Sequence, residues 1–138
     1  MELRRADLIL HGGDVSTVAV LEELRSYAPV AAVHGNNDEP ALVASLPAET
    51  TVEVGAATIG LVHDAGRRAG REARLLAKFP GCDAVVYGHS HLPQLDRVAG
   101  VWILNPGSPT ERRRAPARSM IVLGADGKKL HPRLVTFA

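Results

Sequence analysis

Cysteine is nearly absent, with Cys82 alone in 138 residues. No disulfide can close within one chain, and a reducing cytosol is its natural home. Aromatic residues are scarce, with two Phe, two Tyr and one Trp, so stacking on nucleic-acid bases has little material. Charge of one sign does not dominate either. The net charge is +1, which gives no electrostatic case for a polyanionic partner, and nucleic acid is not indicated. The local run Glu111-Arg112-Arg113-Arg114 reads as a solvated loop. No apolar stretch is long enough to span a membrane, and the start Met1-Glu2-Leu3-Arg4-Arg5 has no signal-peptide core. A cytoplasmic protein without membrane contact is the expectation. Hydrophobic residues make up 46%, enough for a real core, and the length fits one domain over 1–138.

What is present is a repeated layout: five short apolar runs, each ending in a polar cluster. Leu8-Ile9-Leu10 runs into His11-Gly12-Gly13-Asp14, and Val30-Ala31-Ala32-Val33 into Gly35-Asn36-Asn37-Asp38. Ile59-Gly60-Leu61-Val62 runs into His63-Asp64, and Ala84-Val85-Val86-Tyr87 into Gly88-His89-Ser90-His91. Val101-Trp102-Ile103-Leu104 runs into Asn105-Pro106-Gly107-Ser108. Strands that each end in Asp, Asn or His gather those side chains along one rim of a sheet, where open α/β sheets carry their chemistry.

Between these clusters the elements follow from spacing. Residues 7–14 read as a buried strand into a Gly-Gly turn. Ser16 or Thr17 then caps a helix over roughly 17–28, with Val18, Leu21 and Leu24 on one face, and Pro29 ends it. A strand at 30–34 follows at once, so the unit is β-α-β and the pair is parallel. Pro40 to Pro47 is a short helix or loop. Thr50–Val54 and Ala57–Val62 form a hairpin around Gly55-Ala56. Arg67 to Phe79 has helical spacing, with Ala69, Ala73, Leu76 and Phe79 inward, and Pro80-Gly81 stops it. Strands at 84–88 and 101–104 follow. A last hairpin joins Ser119–Leu123 to Leu130–Phe137 through Ala125-Asp126-Gly127. This order predicts a mixed sheet, or two packed sheets, with helices outside.

Each cluster also has a plain structural reading. Gly12-Gly13-Asp14 and Gly35-Asn36-Asn37-Asp38 are turns by composition. A carboxylate at Asp14 can also bridge two cations, and the Asn36 amide oxygen can bind one, with Asn37 beside the substrate. His63 is a polar residue at a strand end or a ligand, and Asp64 a helix cap or the outer partner of a ligand His. Gly88-His89-Ser90-His91 is the sharpest signal, since two imidazoles one residue apart after a buried strand reach one rim. Asn105-Pro106-Gly107-Ser108 reads as a rigid loop beneath the site. His11, His34 and His131 are read as structural. Together the clusters indicate a metal-dependent hydrolase. Paired cations with O and N ligands, about 3.5–4 Å apart, typically clamp phosphoryl oxygens and acidify a bridging water for in-line attack on phosphorus.

The ordered set Gly13-Asp14, Gly35-Asn36-Asn37-Asp38, His63, Gly88-His89-Ser90-His91 and Asn105-Pro106-Gly107-Ser108 resembles the calcineurin-like metallophosphoesterase superfamily. It is most similar to its small bacterial and archaeal phosphodiesterase branch, which includes the retromer-subunit-like fold, from about residue 6 to the C-terminus. The resemblance implies a four-layer α/β/β/α sandwich of two mixed β-sheets flanked by helices, with a dinuclear site. It implies Asp14 bridging both metals, Asn36, His63 and His89 completing one, and His91 on the other. Asp38, Asp64, Asn105 and Ser108 would support the loops around them. Divalent ions are implied as cofactors, Mn²⁺ first, with Fe, Zn and Ni compatible. The implied substrate is a small phosphoester. In the wider superfamily the residue after the ligand Asn is often a His that protonates the leaving group. Asn37 stands there and cannot act as a general acid.

The family also opens with a central strand ending in Asp-x-His, and this sequence starts at Met1 after that place. The N-terminal strand is therefore expected to be missing, leaving only Asp14 and His91 on one metal and Asp14, Asn36, His63 and His89 on the other. Asp7 begins a strand at the opposite end and is no replacement. Either the start is placed too late in the gene, which is the preferred reading, or a truncated chain is real. For 1–138 as it stands, impaired or absent dinuclear catalysis is expected, and the exposed sheet edge favours a homodimer. Two rival functions remain: a catalytically silent scaffold or binding module on the same fold, and a mononuclear metal hydrolase or metal-binding protein using the four-ligand site.

Overall fold

The computed structural model describes residues 7–12, 18–35, 38, 40–88, 92–107 and 118–137, and all structural statements concern these. Short apolar, β-branched segments form strands β1 (Ile9–His11), β2 (Val30–Ala32), β3 (Glu49–Val54), β4 (Ala57–Val62), β5 (Ala84–Tyr87), β6 (Gln94–Val98), β7 (Val101–Asn105), β8 (Arg118–Asp126) and β9 (Lys129–Phe137). The helices are α1 (Val18–Arg25), α2 (Pro40–Ser45) and α3 (Arg71–Lys78). β1 and β2 pair in parallel, Ile9 opposite Val30, as the β-α-β reading required. β3 and β4 form the expected hairpin around Gly55-Ala56, Val54 opposite Ala57. The sheet order is β3-β4-β5-β7-β6, with β4, β5 and β7 mutually parallel.

Packing then sorts the elements into layers. One face of β4, β5 and β7 buries Ile59, Leu61, Ala84, Val86 and Leu104 against Val33 and Leu130, with Leu10, Ile121 and Leu123 at the margin. The opposite face buries Val62, Val85, Tyr87 and Ile103 against Leu75 and Phe79 of the α3 region. Beyond β2, Ala32 packs on Leu21 of α1 and Leu42 of α2. Each fully buried Leu or Ile contributes about 1.5–3 kcal/mol, so the central strands hold most of the stability. The layering is α, β, β, α. The inner layer opposite the five-stranded sheet consists of the β1–β2 pair and the β8–β9 hairpin, hydrogen-bonded as separate sets among the described residues.

Five local expectations need correction. The inward residue of α3 is Leu75, 1% exposed, while Ala73 faces solvent. The helix begins at Arg71 rather than Arg67, because Gly70 caps it in the left-handed region at φ 72°. A side chain on Gly60 would sit 2.5 Å from Cγ of Phe79, so the bare strand admits the ring and fixes the face that α3 presents. In α1, Leu21 is buried but Val18 is exposed. β6 was not expected at all. It pairs with β7 through Ala99-Gly100, both at positive φ (51° and 81°), the geometry that matches strand twist in a two-residue hairpin. The last hairpin is also longer than expected. Pairing continues to Asp126 opposite Lys129, so the turn is Gly127-Lys128.

Candidate metal centre

The parallel strands β4, β5 and β7 all end at the same rim, and β1 ends against it. Gly88, the first residue after β5, is the hub. Its N–H donates to the His63 carbonyl at 3.0 Å, just past β4. Its own carbonyl accepts from Nδ2 of Asn105 at 3.4 Å, at the end of β7. Across the layers, Nδ1 of His63 lies 2.6 Å from the Gly12 carbonyl, just past β1. Two glycines meet there: a Cβ on Gly88 would lie 2.8 Å from the Gly12 oxygen and 3.3 Å from His63 Nδ1. Four of the five polar clusters therefore come from strand ends joined at one junction. The fifth follows β2, which is hydrogen-bonded to β1.

The His63–Gly12 contact has a chemical consequence. A carbonyl only accepts, so Nδ1 carries the proton and the lone pair of the neutral ring sits on Nε2. A ligating His typically donates its other ring N–H to a carbonyl or carboxylate in this way. His63 is 5% exposed, so its ring is held by packing as well. A neutral imidazole nitrogen of this kind suits a borderline divalent cation. Among the described residues no three His, Cys, Asp or Glu side chains gather into a metal cluster. The expected ligands Asp14, Asn36, His89 and His91, with Asn37 and Ser108, lie outside the described residues.

The supporting residues are described. Asn105 is fully buried; besides holding Gly88, its Oδ1 accepts from the Gly107 N–H at 2.9 Å. Ser119 is also fully buried and donates from Oγ to the Pro106 carbonyl at 2.8 Å, pinning the same loop to β8. Asp38 accepts from the Gly35 N–H, three residues earlier in sequence, at 2.6 Å. Asp64 is exposed and accepts from Gly66 N–H at 2.8 Å, a local turn; the described outer partner of His63 is the Gly12 carbonyl.

Sequence reasoning missed the residues that hold the loop after His63. Arg74 donates to the carbonyls of Ala65 (Nη2, 3.1 Å), Ala69 (Nη1, 2.7 Å) and Arg67. Arg71 donates to the Gly66 carbonyl at 3.1 Å and to the Tyr87 hydroxyl at 3.3 Å, with its guanidinium 5.1 Å from the Tyr87 ring centre. The available signal was a loop of Gly and Ala, rich in carbonyls that need donors, followed by two arginines one helical turn apart. No described helix is long and apolar enough to cross a membrane.

Residues 1–128 match the calcineurin-like phosphoesterase superfamily domain. Over 132 residues the chain is 37% identical to a "Probable metallophosphoesterase" of Methanocaldococcus jannaschii, covering 92% of this chain but only 65% of that protein's length. Solved structures share the fold, among them the following two. Vps29 of Entamoeba histolytica complexed with Zn²⁺ has a TM-score of 0.78 at 23% identity, covering 99% of this chain and 87% of that one. A structure described as a novel archaeal phosphodiesterase has a TM-score of 0.74 at 20% identity, covering 95% and 84%. With strand ends meeting at one rim, a histidine oriented for ligation and a family match over nearly its whole length, the chain belongs to the calcineurin-like phosphoesterase superfamily.

Proposed function

We propose that the protein hydrolyses small phosphodiesters using divalent cations, Mn²⁺ first, held in two sites by Asp14, Asn36, His63, His89 and His91. The observation that carries this reading is the junction of Gly12, His63 and Gly88. Asp14 follows Gly12 by two residues and His89 follows Gly88 by one, so the same three strand ends that meet at the junction lead into the ligand positions. When bound, the cations supply Lewis acidity toward the phosphoryl oxygens and a water of lowered pKa.

The chain's own residues divide the remaining work. The Gly12 carbonyl holds the His63 ring in one tautomer and one orientation. Asn105 fixes the Gly88 carbonyl and thereby the start of the segment bearing His89 and His91. Asp38 ties itself to the Gly35 N–H and so fixes the two described positions that flank Asn36 and Asn37 in sequence. Asn37 is assigned to the substrate by the resemblance; its amide can donate a hydrogen bond to a phosphoryl oxygen but not a proton to the leaving group. Diesters with good leaving groups are therefore favoured over alkyl ones.

The test is hydrolysis of bis(p-nitrophenyl) phosphate after chelator treatment and Mn²⁺ addition, with Asp14→Ala and His63→Ala beside the wild type. The expected result is activity that requires metal, weak because one of the two sites has only Asp14 and His91 to hold its cation, and lost in both variants. Mn²⁺ binding without hydrolysis would refute the reading and favour a silent scaffold on the same fold.

A further inference from the structure

Beside the rim, a cleft of about 450 Å³ opens between α3 and β6. Its walls directly continue the ligand-bearing loops. Arg68 lies five residues past His63, and Leu92 follows His91. Tyr87, next to Gly88, forms part of the floor. The volume is within the range of about 300–1,000 Å³ that organic ligands occupy, and far more than a bare phosphate needs.

The hydrogen-bond capacity of the lining defines what can enter. Both amide donors of Gln94 are used: Nε2 donates to Glu72 at 3.2 Å and Asp96 at 2.7 Å, and Oε1 accepts from the Tyr87 hydroxyl. Tyr87 in turn accepts from Arg71, so a chain of bonds runs from α3 to β6 and holds both walls in place. Two kinds of capacity remain. Glu72 and Asp96 are acceptor-only carboxylates, each able to take several further donors. Arg68 is exposed and pairs with no described residue, so its guanidinium donors face the cleft unused. Nε of Arg71, buried, has no hydrogen-bond partner among the described residues. A complementary ligand carries hydroxyl or amino donors at one end and an anionic acceptor at the other.

We propose that this cleft is a specificity subsite for the alcohol portion of the phosphodiester, and that it selects a polyhydroxylated, sugar-type group. Arg68 takes a phosphoryl oxygen, and Glu72 and Asp96 accept from the sugar hydroxyls. The proposal rests on the phosphoesterase reading for the identity of the anionic end. A lipid-type diester brings no donors to Glu72 and Asp96 and would desolvate both carboxylates without compensation, which costs binding.

The experiment has two arms. In the first, the metal-free chain is titrated with ribose 5-phosphate and with methyl phosphate, and backbone amide shifts are followed by NMR. Ribose 5-phosphate is expected to shift Gln94, Leu95 and Asp96 and to bind about tenfold more weakly to Asp96→Asn, the worth of one charge-assisted hydrogen bond. Arg68→Gln should weaken both probes. Equal shifts by the two probes, or none at β6, would overturn the proposal. In the second arm, kcat/KM with Mn²⁺ is compared for a ribonucleoside p-nitrophenyl phosphodiester and methyl p-nitrophenyl phosphate. The ratio should fall about tenfold in Glu72→Gln and Asp96→Asn, and an unchanged ratio counts against the subsite. Sugar-dependent binding with no hydrolysis of either diester would sink the catalytic reading and leave the subsite standing.

Discussion

Gly88→Ala tests the junction directly. The added methyl would lie 2.8 Å from the Gly12 carbonyl oxygen, a backbone atom that cannot rotate away, and 3.3 Å from His63 Nδ1. Relief requires the end of β1 to move off β5, which stretches the 2.6 Å bond that orients His63. Overpacking of this kind costs about 1–3 kcal/mol, and the weakened hydrogen bond adds about 1 kcal/mol, so the total is about 2–4 kcal/mol. For 138 residues that corresponds to a fall in Tm of about 7–14 °C. A ligand His that loses its outer partner typically loses about 10–100-fold in metal affinity. Thermal unfolding by circular dichroism and Mn²⁺ titration by calorimetry read the two effects. Gly12→Ala is the internal comparison. Its Cβ would meet Gly88 N at 3.3 Å, a milder approach, so both effects should be smaller. A Gly88→Ala protein with wild-type Tm and Mn²⁺ affinity, or a Gly12→Ala protein that is the more damaged, would refute the reasoning.

Asn105→Ala should cost about 1–3 kcal/mol in urea unfolding, because the Gly88 carbonyl and the Gly107 N–H lose a fully buried partner. Gly60→Ala should cost about 1–3 kcal/mol by driving a Cβ to 2.5 Å from the Phe79 ring, and Phe79→Leu in the same chain should recover part of that loss. Burial, and then the negative charge of Asp83, push the Cys82 thiol above its ordinary value of 9.0. The folded state therefore keeps its proton longer than the unfolded state. The contribution is intact below pH 9 and is lost as pH rises above it. Cys82→Ala should flatten the decline of Tm between pH 8.5 and 10. In native wild type the thiol should react with iodoacetamide at neutral pH far more slowly than in urea.

Much of this fold was legible because its strands are short apolar runs followed by punctuation. The parallel β1–β2 pair, the β3–β4 hairpin and β5 and β7 all follow from that pattern. β6 escaped because Gln94-Leu95-Asp96-Arg97-Val98 is largely polar and its turn lacks the usual Asn-Gly signal. Ala99 takes positive φ there because the flanking strands over-determine it. The phase of α3 escaped by one residue. Leu75 and Leu76 suit a helix equally, and the choice is made by Phe79 settling over Gly60, a contact across 19 positions of sequence. In the site, residue types were legible but their partners were not. The Gly12 carbonyl that orients His63 is 51 residues away, and no local spacing encodes it.

That contact also explains why the proposed metal site would fall at a seam between layers rather than within one sheet. Among the described residues β1 and β4 share no strand pairing, so packing and the His63–Gly12 hydrogen bond bring their ends together. Gly12 and Gly88 remove the side chains that would hold the two layers apart, and His63 then spans the gap from one strand end to the other. The proposed ligands, carried by both layers, would meet only if the layers keep their spacing to about 0.5 Å. The buried Asn105 and Ser119 bonds tie down the loops at the rim of the five-stranded sheet. Stability and metal affinity should therefore fall together in Gly88→Ala and separate in ligand variants such as His91→Ala. That pattern would distinguish a rim built by packing from one assembled by the metals themselves.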